Sequence, residues 1–70
     1  MRKIVVEKTV YIKEDMKALS DDWKMVTIPS GTSVVVMKET RYGCQIRVVE
    51  GPYHGQRFGV STKGFEKAIN

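Results

Sequence analysis

Apolar and polar side chains alternate most cleanly in the second half of the chain. Ile46 and Val48 flank Arg47, Gly51-Pro52 breaks the pattern, and Phe58 and Val60 resume it with Arg57 and Gly59 between them. A period of two marks a half-buried strand, and Gly-Pro marks a turn. The stretch therefore predicts two strands joined by a loop, with Arg47 and Arg57 on the faces turned away from the apolar residues. Elsewhere the same period is shorter. Ile4, Val6, Val10 and Ile12 share one parity and predict a first strand, interrupted near Glu7-Lys8. A second strand is predicted from about Trp23 to Ile28, a third from Val34 to Met37, a fourth from Cys44 to Val49 and a fifth from Arg57 to Ser61. Pro29-Ser30-Gly31 predicts an abrupt turn between the second and third, with Gly31 at positive φ.

Two segments resist a single reading. Lys13 to Asp22 is rich in charge and loses the alternation. It reads equally as a helical turn lined by Met16, Leu19 and Trp23 or as a long loop folded over one end of the molecule. Phe65, Ala68 and Ile69 close the chain as a short helical turn or a last strand. Five or six short strands separated by turn signals predict an all-β domain, a small barrel or sandwich, and closure into a barrel removes exposed sheet edges. The shared parity of Val34, Val36, Ile46, Val48, Phe58 and Val60 predicts the core.

Size and composition narrow the function. Seventy residues make one domain, residues 1–70, whose core is small, since a chain of this size buries only about 60% of its unfolded surface. The single cysteine, Cys44, allows no intramolecular disulfide, which points to a reducing, intracellular setting. Arg2-Lys3 before Ile4-Val5-Val6 imitates a signal peptide, but the apolar run stops at Glu7-Lys8. No run approaches the roughly 20 apolar residues of a membrane span. The expectation is a cytoplasmic protein with no membrane contact. The net charge of +4 is uneven: residues 1–33 carry +1 and residues 34–70 carry +3. Such a bias suits nucleic acid or an acidic protein, and equally a solvated surface.

From Met25 to Ala68 the pattern resembles bacterial SH3-like barrels. Ile28-Pro29-Ser30-Gly31-Thr32-Ser33-Val34-Val35-Val36 resembles that family's turn into a strand, in which Gly-Thr precedes alternating aliphatics. Tyr42-Gly43-Cys44-Gln45-Ile46-Arg47-Val48 resembles its middle hairpin, and Gly55-Gln56-Arg57-Phe58-Gly59-Val60-Ser61 with Phe65 its closing strand. The resemblance implies a five- to six-stranded SH3-like barrel. The same region is similar to a KOW motif, found in ribosomal and elongation proteins that bind RNA or its machinery, through Gly51, Gly55 and Gly59 before Val60; its spacing differs by one residue between the last two. The tyrosine-rich motif and paired tryptophan of eukaryotic peptide-binding SH3 domains are missing, so a proline-rich ligand is not implied. A free-standing domain of this size resembles a small phage or prophage protein.

No residue set announces catalysis. One histidine, His54, and one cysteine cannot assemble an ordinary zinc set, so no metal and no cofactor are expected. A Cys44–His54 nucleophile pair lacks an orienting third group. Asp21-Asp22 reads best as a solvated loop. The glycines at 51, 55 and 59 precede a strand rather than a helix, so they suit turns better than a phosphate cradle. Candidate binding residues are Lys38, Arg41, Arg47 and Arg57, which contact phosphates or acidic side chains, with Tyr42 and Tyr53 at the loop tips. Val35 and Met37, outward if Val34 and Val36 point in, form a candidate apolar contact or pack beneath the first strand. The expectation is a non-enzymatic binding module for a protein partner. The alternative is KOW-like binding of RNA or DNA through a basic sheet face. Cell-wall binding, known among bacterial SH3-like domains, is disfavoured because no export signal or companion enzyme domain is seen.

Overall fold

The computed structural model describes residues 6–69. Six strands run β1 (Thr9–Tyr11), β2 (Met16–Ser20), β3 (Met25–Ile28), β4 (Ser33–Glu39), β5 (Gly43–Glu50) and β6 (Arg57–Ser61), followed by one helix, α1 (Thr62–Ile69). They form one antiparallel sheet in the order β1-β4-β5-β6-β2-β3. The all-β reading thus holds, with a helix added at the end.

The central ladder follows the alternation. Val34 faces Val48, Val36 faces Ile46, and Ile46 faces Phe58. All of them are buried, as are Val60 and Cys44. Arg47 and Arg57, also register partners, lie exposed on the opposite face. At the turn before β4, Gly31 has φ +94°, a region that costs other residues their Cβ clearance. Behind it Thr32 is fully buried, and its hydroxyl donates to the Pro29 carbonyl at 2.8 Å, so the buried oxygen is satisfied.

Three expectations need correction. The first strand is only Thr9–Tyr11 among the described residues and stops before Ile12, while the interruption expected near Glu7-Lys8 is present, with Glu7 at φ +68°. Ile4 and Val5 lie outside the described residues. Residues 16–20 form a strand, neither helical turn nor loop: Met16 and Ala18 point inward and pair with Ile28 and Val26. The next strand begins at Met25 rather than Trp23, since Trp23 belongs to the hairpin turn before it. Of the two readings open for the end of the chain, the helical one holds, with Phe65 and Ala68 buried.

Local chemistry explains the helix. Ser61 ends β6 and caps α1, its hydroxyl accepting the Gly64 N–H at 3.1 Å. Lys67 stands in the last turn, where cations suit the helix dipole. The Ala68 carbonyl accepts the N–H groups of Lys13 and Glu14, which ties the β1–β2 connection to the helix end. Ile12, Met16, Ile28, Phe58 and Phe65 join one apolar cluster, with Val10 packed at its margin. A flat six-stranded sheet would hold its edge strands about 24 Å apart, at roughly 4.8 Å per spacing. Sharing one cluster between Val10 of β1 and Ile28 of β3 therefore requires strong curling.

Candidate functional site

The outward face of the sheet has two rows that matter. One runs Thr9, Val35, Arg47, Arg57 across β1, β4, β5 and β6. The next runs Lys38, Gln45, Gly59, Leu19, Met25 across β4, β5, β6, β2 and β3. Lys38 enters this row because a bulge between Val36 and Lys38 inserts Met37, leaving both Met37 and Lys38 exposed. With no side chain at Gly59, Leu19 and Gln45 stand as walls on either side of it. The result is an open groove of about 350 Å³, floored by Gly59 and rimmed by Trp23, Asp21 and Arg57.

Trp23 is placed by the hairpin turn between β2 and β3. The Trp23 N–H donates to the Ser20 carbonyl at 3.0 Å, and the Ser20 N–H to the Lys24 carbonyl at 2.9 Å. The Ser20 hydroxyl donates to Asp22 and accepts the Lys24 N–H. In such hairpins the residue after the turn is left-handed and is ordinarily glycine. Here it is tryptophan, with φ +64° and 82% exposed. A bulky side chain at positive φ is an outlier costing on the order of 1–3 kcal/mol. Tyr53, at φ +67°, differs: its ring packs edge-on against Phe58 at 5.5 Å, so the fold gains a contact there.

Gly59 is the second oddity. Glycine inside a strand weakens it and often marks close approach of a ligand or another backbone. The fold itself does not require glycine here. A Cβ at residue 59 would meet only the Leu19 carbonyl oxygen at 3.9 Å, an ordinary contact. Two residues that weaken the fold, Trp23 and Gly59, thus lie on one groove.

Charge around the groove is mixed. Arg57 pairs with Asp21 at 3.6 Å and Lys24 with Asp22 at 3.8 Å, both in solvent and so of little energetic weight. Among the described residues no ion pair involves Arg47 or Lys38. The Ser20 hydroxyl, followed by a backbone N–H and by Lys24, holds the Asp22 carboxyl below its ordinary pKa. A lowered carboxylate pKa stabilises the turn above the unfolded-state value, and that contribution is lost as pH falls through the folded value. In an NMR titration the Asp22 carboxyl should change with a midpoint below that of the urea-unfolded chain. Ser20→Ala should raise that midpoint; an unchanged midpoint would remove the hydroxyl as its cause.

The residues expected from sequence do not form one patch. Arg47 and Arg57 are neighbours, Lys38 lies one row away beside Gln45, and Val35 sits half-buried between Thr9 and Arg47. Met37 is exposed at the bulge. Arg41 and Tyr42 occupy the β4–β5 turn before the start of β5, with Tyr42 83% exposed, whereas Tyr53 follows the far end of β5. Eight residues of strand, roughly 27 Å at 3.4 Å each, separate those two loops. His54 is exposed and Cys44 is buried. Sequence reasoning missed Leu19, Trp23, Met25, Gln45 and Gly59 as a group. The available signal was the only tryptophan directly after Asp21-Asp22, in a position where a hairpin wants glycine.

No family model, no curated protein and no solved structure matches the chain. Among the described residues no cluster of His, Cys, Asp or Glu could hold a metal ion, and no helix is long and apolar enough to cross a membrane.

Proposed function

We propose that this chain is a small SH3-like barrel that works in the cytoplasm as a non-enzymatic module, binding a protein partner through the outward groove beside Trp23. The barrel reading is supported by the sharing of one core between the two edge strands. The observation that carries the binding role is Trp23, a large aromatic held in water by a turn it strains. Selection for stability alone favours glycine there, so the side chain has a use outside the fold. Tryptophan is the side chain most enriched among residues that dominate protein interfaces. Half-buried Leu19 and exposed Met25 continue the apolar surface from it, Met25 opposite Leu19 in the β2–β3 ladder.

A protein partner is favoured over nucleic acid by Asp21 and Asp22. They directly precede Trp23 in the same turn, and a phosphate drawn to a base stacked on that ring would meet two carboxylates. Arg47 beside Arg57 is the feature that favours nucleic acid, but Asp21 already compensates one of the two.

Trp23→Gly separates stability from function. The substitution should leave the fold intact and raise its unfolding free energy by up to about 1 kcal/mol, since it removes left-handed strain at an exposed position. It should also abolish capture of a protein partner from nuclease-treated lysate. Loss of capture only after nuclease treatment, or binding of oligonucleotides that falls steeply with salt, would replace the protein reading with nucleic acid. Capture undiminished by Trp23→Gly would place the interface elsewhere.

A further inference from the structure

We infer that the groove takes an extended peptide crossing the strands over Gly59, with a large apolar side chain at the Trp23 end and a carboxylate at the Lys38 and Arg47 end. This rests on the protein-binding reading and specifies the ligand. The row Met25, Leu19, Gly59, Gln45, Lys38 changes character along its length. Its first end is apolar, and Trp23 lines the groove there together with Leu19. Its middle is bare backbone at Gly59 next to the Gln45 amide, which can both donate to and accept from a peptide group. Its last end is basic, and Arg47 reinforces Lys38 from the adjacent row. Both cations lack a carboxylate partner among the described residues, whereas Arg57 nearer the tryptophan is already paired with Asp21. Charge complementarity therefore asks for an acid at the far end and not beside Trp23.

The spacing follows from sheet geometry. Leu19 to Lys38 spans three strand spacings, roughly 14 Å, which is about four residues of extended chain. The ligand should thus carry its acid about four positions from its apolar residue. Gly59 lets the peptide backbone approach the sheet. No positive φ and no crowding demand glycine there, so the bare floor serves the occupant and not the fold.

The test is panning of a random dodecapeptide display library on the whole chain, followed by titration of enriched synthetic peptides. Trp23 is the only tryptophan, so its fluorescence reports directly on the groove. Enriched peptides should share an Asp or Glu three to five positions from a Leu, Ile, Met, Phe or Trp. Binding should shift Trp23 emission to the blue. Gly59→Val should weaken binding at least tenfold while the melting midpoint stays the same or rises, because a strand prefers valine and space is available. Arg47→Glu should weaken the acidic peptides at least tenfold. Enriched peptides without a shared acid, or affinities indifferent to Gly59→Val and Arg47→Glu, would overturn this ligand while leaving a protein-binding role elsewhere intact. Quenching of Trp23 by oligo-dT with no peptide enriched would overturn both readings. A concentration-dependent blue shift of the chain alone, with a dimer in sedimentation, would show that a second copy is the occupant and overturn the peptide.

Discussion

Truncating Ile46 to alanine is expected to destabilise the protein by about 2–5 kcal/mol, the range for removing a large aliphatic side chain from a packed core. Ile46 is fully buried and lies in the middle strand of three, opposite Val36 on β4 and Phe58 on β6. The backbone around it is held on both sides by ladders, so the space left by the side chain has little means of collapsing. A domain of 70 residues has a total stability on the order of 4–10 kcal/mol, so the loss takes a large part of it. Urea unfolding of Ile46→Ala and of Gln45→Ala makes the comparison internal. Gln45 is next in the chain but points outward, and its truncation should stay within about 0.5 kcal/mol of the parent. Equal effects at the two positions would show that the register is wrong.

Gly43→Ala is the second large effect, expected at about 1–3 kcal/mol, the cost of forcing extra volume into a packed site. A Cβ on residue 43 would run into the carbonyl oxygen of Val60 on the facing strand. That atom belongs to the backbone of a ladder and cannot swing aside like a flexible side chain. Gly43 is also tied locally: its N–H donates to the Thr40 hydroxyl at 3.2 Å, and its carbonyl accepts the Thr40 N–H at 2.8 Å. The turn and the β5–β6 pairing therefore cannot both be kept once the methyl group is added. Hydrogen exchange should quicken at Cys44 and Val60, where β5 and β6 meet, before it quickens at the β2–β3 hairpin. Protection lost uniformly across the sheet would argue against a local clash. Gly59→Ala, a glycine of the same sheet with open space above it, should cost little and is the control.

The two substitutions also mark where sequence reading succeeds and where it stops. Ile46, Val48, Phe58 and Val60 were legible because a strand's period of two is local: once the chain is extended, parity alone assigns each side chain to a face. Arg47 and Arg57 came out on the opposite face for the same reason. Gly31 was legible because Pro29 and the glycine act on their own backbone angles. By contrast, β2 was hidden. Met16 and Ala18 are its only fully buried side chains, Leu19 is an apolar residue pointing outward, and charged residues precede and follow it. Its strand state comes from pairing with β3 on one side and β6 on the other, and those partners lie far along the chain or depend on the hairpin it makes. Helix α1 was similarly ambiguous, since eight residues with two buried side chains give too short a window to separate a helical from an extended period.

The chain by itself determined the inward and outward faces of β4, β5 and β6 and the turn at Gly31. These depend on neighbours in sequence, which need no fold to evaluate. Only the tertiary structure decided which outward residues share a surface. Leu19, Gly59 and Gln45 are separated by up to 40 positions yet become adjacent through two strand pairings. Tyr42 and Tyr53 are 11 positions apart yet end at opposite ends of one strand. Side-by-side pairing of distant strands is set by the long-range burial of one apolar core, and that burial brought Gly59 beside the hairpin turn that carries Trp23.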